Sequence, residues 1–259
     1  MSLLDVKELA FAYHTGQAVF TNVNFSMKNG EILTILGPNG IGKSTLLKCL
    51  LDELQPSAGQ ILLSGNPLDN YSHKQVAHQI SVVQQNYHLD VDISVRDYLL
   101  TARASYLGNF QMPGKAEETL VVQNLKKFQL FDLYDRAFND LSGGQQQLIT
   151  IIRAVIQQPQ LLLLDEPMAS LDLRRQAEVI RLIRRLASNG IAIIMTTHLP
   201  DHAFMLGGQI GLFNQEGQLQ VGQQGDLMTS ANLTQTYGVP VEVTYLPQLH
   251  RYTCQLKLH

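Results

Sequence analysis

Residues 31–53 read EILTILGPNGIGKSTLLKCLLDE, and the change of character inside this stretch decides the fold class. EILTIL is a short continuous apolar run, as a central strand covered on both faces requires. STLLKCLLDE reads as a helix. Between them GPNGIGKS fits G-x-x-x-x-G-K-[ST], in the strand–loop–helix context that gives the pattern its meaning. Gly37, Gly40 and Gly42 let the backbone curl until successive N–H groups face one centre, and the helix N-terminus adds its dipole. A loop of this kind holds phosphates. Lys43 reaches the β- and γ-phosphates, the Ser44 hydroxyl ligates Mg²⁺, and Asn39 and Thr45 complete the candidate ATP-binding set. The bland alternative is a glycine-rich turn without a ligand.

Outward from this loop, strands alternate with helices, the pattern of an α/β sheet. LLDVKELAFAY (3–13) and TNVNFSM (21–27) alternate as half-buried strands do. ISVVQ (80–84), LLLLDE (161–166) and IAIIMTT (191–197) are apolar runs of the central-strand kind. The middle differs: 94–104 and 116–129 read as helices, the second with Val121, Leu125 and Phe128 on one face. These signals predict a P-loop (RecA-like) core with an antiparallel β part at the N-terminus, over 1–87 and 155–228. A helical insertion is expected over 88–154. The extension 229–259 reads as a short helix, a turn and a terminal strand.

Composition bounds the rest. A chain of 259 residues, 45% hydrophobic, builds a sizeable core without staples. Two cysteines, Cys49 and Cys254, cannot form a disulfide framework, and a reducing compartment is expected. With 19 basic and 22 acidic residues the net charge is −3, so no electrostatic footprint for nucleic acid is present. No apolar run approaches the roughly 18–20 residues that span a bilayer, and the N-terminus lacks the features of a signal peptide.

LLLLDEP (161–167) supplies the complement to the phosphate loop: a buried strand ending in two acids delivers them to the carboxyl edge of the sheet. Adjacent side chains on a strand diverge. If the strand stops at Asp165, that residue serves Mg²⁺ while Glu166 faces the attacking water as general base. His198, after IAIIMTT, lands at the same edge and can reach a γ-phosphate. The remaining histidines form no convincing metal site, and Pro200 interrupts the spacing between His198 and His202. LSGGQ (141–145) reads either as a second anion cradle or as a Ser-Gly-Gly turn that only caps a core helix. There Ser142 is a candidate N-cap, and Gly143 and Gly144 free the backbone at the start of a helix that is apolar on nearly every side. A nucleotide already covered by residues 37–45 has no need of this second donor set from the same chain.

The phosphate loop, LSGGQ, LLLLDEP, SLD (170–172) and the histidine of TTH (196–198), in that order, resemble the ATP-binding subunit of an ABC transporter over nearly the whole chain. The residues alone give a P-loop NTPase; the resemblance implies the rest. It implies that Ser142, Gly143, Gly144 and Gln145 face the γ-phosphate held by a second copy, so that two chains pack head to tail around two ATP molecules. Tyr13 would lie against adenine, a bare reading of the same residue being core. Gln85 in VVQQN would contact Mg²⁺ and water, with Gln84 one register away as the alternative. Asp172 would lie in the inter-subunit loop, or simply cap a helix. Gln146–Gln147 and Met168 depart from the family pattern, where an arginine and a threonine are usual.

A cassette without a membrane span implies separate permease subunits, docking near Gln85 on the cytoplasmic side of the inner membrane, and indirectly a solute binding protein. LTQTYGVPVEV (233–243) and TTHLPDHA (196–203) are similar to importers of metal chelates such as siderophores, haem and cobalamin, with oxyanions among related cargo. Rival readings are a soluble ABC-type ATPase of nucleic-acid repair or translation, a nucleotide kinase, and a non-hydrolysing subunit. The first needs a coiled coil, a second cassette or a basic surface. The second leaves LSGGQ and SLD unexplained, and the third conflicts with Lys43, Asp165, Glu166 and His198.

Overall fold

The computed structural model describes residues 2–13, 16–84, 92–107 and 111–257. The chain begins with β1 (Leu4–Ala12), β2 (Ala18–Met27), β3 (Ile32–Leu36), α1 (Lys43–Leu50), β4 (Ala58–Leu63), β5 (Asn66–Pro67), α2 (His73–Gln79) and β6 (Ile80–Val83). The helical insertion carries α3 (Val95–Leu100), α4 (Lys115–Lys127) and α5 (Gly143–Ile156). The sheet resumes through β7 (Leu161–Asp165), α6 (Leu173–Ser188), β8 (Ala192–Thr197), α7 (Pro200–Leu206), β9 (Gln209–Phe213) and β10 (Leu219–Gln223). Then come α8 (Gln224–Leu227), α9 (Ser230–Tyr237), β11 (Val241–Leu246) and β12 (Arg251–Leu256).

The central sheet has the order β10-β9-β3-β8-β7-β6. Its strands are parallel except β10, which runs antiparallel to β9. Every residue of β3 and β8 is buried, because both faces are covered. On one face Leu33, Ile35, Leu163 and Ile194 pack with α1 and with the inner residues Leu4, Val6 and Leu9 of β1. Those belong to the antiparallel sheet β2-β1-β4-β5. On the other face Leu162, Leu164, Ile193 and Met195 meet α5, α6 and the buried Val121 and Leu125 of α4. Leu161 to Leu164 are all fully buried, and burial of each such side chain contributes about 1.5–3 kcal/mol. The α/β reading with its antiparallel N-terminal sheet and helical insertion therefore holds. No helix among the described residues is long and apolar enough to cross a membrane.

Two local expectations change. The helix read over 94–104 is α-helical only to Leu100 and continues as a 3₁₀ segment, Thr101–Tyr106. Thr101 Oγ1 donates back to the Tyr98 carbonyl at 2.6 Å and accepts Arg153 Nε at 2.8 Å, a side-chain bond that competes with the regular ladder. The single terminal strand is instead a hairpin, β11 pairing β12 from Val241↔Leu256 to Leu246↔Arg251. The turn at Pro247–Leu249 reverses the chain and so brings the partner strand alongside.

Candidate functional site

Strand register brings the site together. β3 pairs β8 with Leu36 opposite Thr197, and β7 pairs β8 with Asp165 opposite Thr196. Three parallel strands thus end level with one another, and the loops that leave them converge at the carboxyl edge of the sheet. From β3 comes the phosphate loop, from β7 Glu166, and from β8 His198. The phosphate loop and Glu166 enclose a cleft of 330 Å³ lined by Asn39, Gly40, Gly42, Lys43, Ser44, Thr45 and Glu166; His198 and Asp165 are not on that lining, and His198 meets it through Glu166. A wider concavity of 470 Å³ beside Asn22, Gln220 and Gln235 has Glu216 as its one charged lining residue among those described. Gly42 caps α1 at φ +116°, and a Cβ there would stand 2.7 Å from Val19 Cγ1. Conformation and space both demand glycine.

Lys43 is only 5% exposed, and its ammonium donates to the carbonyls of Gly37 at 2.8 Å and Pro38 at 3.0 Å. It also stands 3.2 Å from Glu166 Oε1. The other carboxylate oxygen, Oε2, lies 2.9 Å from His198 Nδ1, which places the Nδ1–H on the side of the carboxylate. Glu166 is itself 8% exposed and has φ +47°, in the left-handed region that a non-glycine residue enters only when its surroundings compel it. Thr196 supplies the compulsion: its hydroxyl accepts the Glu166 backbone N–H at 3.0 Å and donates to Asp165 Oδ1 at 2.6 Å. One threonine therefore sets the angle between the two acids. β7 ends at Asp165, as the divergence of the two side chains requires.

Ser142 caps α5. Its hydroxyl accepts from Gln145 N at 3.4 Å, and Gln145 Oε1 accepts from Ser142 N at 3.0 Å, a reciprocal capping box. The helix behind it is buried along Leu148, Ile149, Thr150, Ile151 and Ile152, so its N-terminus is rigidly held. Gly143 has open space at its Cβ position, whereas a Cβ on Gly144 would fall 2.4 Å from Arg175 Cγ. None of Ser142, Gly143, Gly144 and Gln145 is among the residues lining the cleft. Asp172 caps α6, accepting from Arg175 N at 2.8 Å.

Tyr13 stands just beyond β1, 48% exposed, its hydroxyl 3.2 Å from Thr45 Oγ1 and its ring edge-on to Phe11 at 4.9 Å. It is not a core residue. Gln85 lies outside the described residues, while Gln84 is described and exposed. Cys49 is buried in α1, where burial pushes its thiol up to about 12, an inert group. Met168 is buried, and Gln146 Nε2 donates to the Phe138 carbonyl at 3.1 Å. Sequence reasoning missed Thr196, which orients both acids, and Arg175, which packs against Gly144. Only Thr196, close to the TTH histidine on a strand neighbouring LLLLDE, had a readable signal.

A phosphate loop and two acids at the carboxyl edge of a parallel sheet define a P-loop nucleoside triphosphatase. The ABC transporter family profile matches residues 20–169. The molybdate import ATP-binding protein MolC of Haemophilus influenzae is 34% identical over 239 residues, covering 92% of this chain and 89% of that protein. The hemin import ATP-binding protein HmuV of Hahella chejuensis is 33% identical over 242 residues, 91% of this chain and 93% of that protein. A chain from an inward-facing ABC transporter assigned to the metal-chelate type superposes with a TM-score of 0.88 at 32% identity, covering 100% of this chain and 98% of that one. The chain belongs to the ABC transporter family, among its ATP-binding, ATP-hydrolysing subunits.

Proposed function

We propose that this chain is the ATPase of an importer, two copies packing head to tail around two ATP molecules and driving separate membrane permease subunits from the cytoplasmic side of the inner membrane. The cargo we infer is a metal chelate or a related oxyanion, delivered by a solute binding protein. The observation that carries the reading is the separation of LSGGQ from the cleft: a rigidly held helix N-terminus, opening to solvent at Ser142 and Gly143, that does not line the chain's own phosphate site. The similarity to relatives that import molybdate and hemin supports the cargo class.

The chemistry assigns one role to each group. The phosphate loop binds the β- and γ-phosphates through backbone N–H groups and Lys43, and orients the γ-phosphorus toward Glu166. Glu166 accepts the proton of the attacking water, and His198, bonded to the same carboxylate, fixes its orientation and reaches the γ-phosphate. Ser44 and Asp165 are hard oxygen donors suited to Mg²⁺, and Thr196 already orients the Asp165 carboxylate. Bound there, Mg²⁺ would neutralise phosphate charge. Gln85 is proposed to complete that set.

Tyr13 is proposed as the adenine platform, because its exposed ring stands beside Thr45 of the loop. Stacking of a base on an aromatic ring contributes roughly 1–3 kcal/mol, so Tyr13→Ala is expected to weaken ATP binding by that amount and leave tripolyphosphate binding unchanged. Calorimetry with both ligands checks it; equal loss for the two would remove Tyr13 from the adenine site.

The assembly is tested by mild cross-linking in cells and affinity purification of the full chain from membranes. A polytopic membrane protein is expected to accompany it, with ATP hydrolysis stimulated when that protein is reconstituted in lipid. Recovery with ribosomes or nucleic acid and no membrane protein would favour the soluble ABC-type ATPase instead.

A further inference from the structure

His202 does not line the cleft, yet the turn that carries His198 is tied to it. It sits in α7, 3% exposed, with Nδ1 3.0 Å from Thr197 Oγ1. Thr197 is the last residue of β8, equally buried, and its hydroxyl also accepts the Leu199 backbone N–H at 3.1 Å. Residues on both sides of His198 are therefore fastened to a single hydroxyl, and that hydroxyl is fastened to His202. The His202 backbone N–H in turn donates to the Leu199 carbonyl at 3.2 Å, closing the turn into the helix.

The helix is a firm anchor. Ala203 and Phe204 are buried in an apolar cluster with Leu36, Leu212, Leu233 and Val241. β12 packs along it, with Tyr252 6.0 Å from the Phe204 ring and Arg251 Nη1 3.8 Å from Asp201 Oδ1. Burial holds the His202 imidazole below the usual histidine range, and the neighbouring His198 lowers it further. Kept neutral, the ring can bond a hydroxyl without carrying a charge into this interior.

We propose that His202 is a positioning residue for hydrolysis: through Thr197 it fixes the backbone of His198, and so the approach of His198 Nδ1 to Glu166. It touches no nucleotide. The proposal rests on the reading of Glu166 and His198 as catalytic partners. A catalytic group misplaced by about 1 Å loses up to ~10²-fold in rate, so the loss belongs in kcat while ATP affinity stays.

The test is a set of variants of the full chain, assayed for kcat, KM and nucleotide affinity in the complex with which it purifies. His202→Phe keeps the bulk without a ring nitrogen and is expected to lower kcat ~10–10²-fold, with KM and ATP affinity within about twofold. His202→Asn, whose amide can stand where Nδ1 stood, is expected to restore most of the rate. Thr197→Val, close to isosteric and able to carry the test if the Phe variant does not fold, should lose at least as much as His202→Phe, since it also removes the acceptor of the Leu199 N–H. The double variant should lose no more than Thr197→Val alone, which already cuts the His202 link together with the Leu199 bond. In a His198→Ala background His202→Phe should change kcat no further. Multiplicative losses, or a lowered Tm with unchanged kcat, would overturn the proposal. A His198→Ala variant with full turnover would instead remove the catalytic reading beneath it, a failure distinguishable from that of the link.

Discussion

Glu166→Gln is expected to bind ATP as the unmodified chain does and to hydrolyse it ~10²–10⁴-fold more slowly, the usual contribution of a positioned general base. Glutamine keeps the shape and one carbonyl oxygen, so the turn at φ +47° and the bond from the Glu166 backbone N–H to Thr196 persist. The basic oxygen and the charge facing Lys43 disappear. Removing one partner of a buried pair costs about 3–5 kcal/mol when the other is stranded. Here Lys43 still donates to the Gly37 and Pro38 carbonyls, and bound phosphates give it new partners, so the cost falls below that range in the ATP complex. Unconsumed ATP should then hold two copies together, visible as an ATP-dependent shift in size. Single-turnover hydrolysis near the unmodified rate would remove Glu166 from the role of base.

The parts of this site that the sequence disclosed are those whose chemistry is local. Gly37, Gly40, Gly42, Lys43 and Ser44 stand at fixed offsets because one turn of backbone must wrap one phosphate group, and flanking β3 and α1 identify the context. β7 and β8 were legible as continuous apolar runs since both their faces are covered. β4 was not, because its first three residues are exposed and only Ile61 and Leu63 are buried. β9 was hidden by Gly211, whose missing side chain makes room for Leu219 of β10. The C-terminal hairpin depends on a pairing between β11 and β12 that no single run of residues announces. Within the site, the Lys43–Glu166 and Glu166–His198 contacts join three loops distant in sequence, and only strand register makes them neighbours. His202 looked like a stray histidine broken from His198 by Pro200. In fact Pro200 starts α7, at the first-turn position proline tolerates, and that helix buries the imidazole against Thr197.

Mixing two inactive variants is expected to restore activity, and this result bears on whether LSGGQ serves the nucleotide of a second copy. Lys43→Ala removes the ammonium from the phosphate loop. Ser142→Arg fills the exposed N-terminus of α5 with a long side chain and destroys the capping box. In a head-to-tail pair each composite site combines one chain's loop with the other chain's signature, so each homodimer holds no intact site and turnover should collapse in both. In a mixed dimer one site carries both defects. The other joins the sound loop of the Ser142→Arg chain to the sound signature of the Lys43→Ala chain. With equal amounts and indistinguishable interfaces, about half of all dimers are mixed by mass action. Because the two sites can be coupled, the measurement is ATP trapped per dimer, or a single turnover, with the membrane partner present. Loss of the Ser142 cap alone costs about 1 kcal/mol of helix stability, too little to unfold a helix buried along Leu148 to Ile152, so the Ser142→Arg chain remains competent to pair. Recovery on mixing requires a site built from two chains. If mixed dimers are demonstrated and trap no more ATP than the separate variants, LSGGQ is a capping box on a core helix and the second cradle holds nothing.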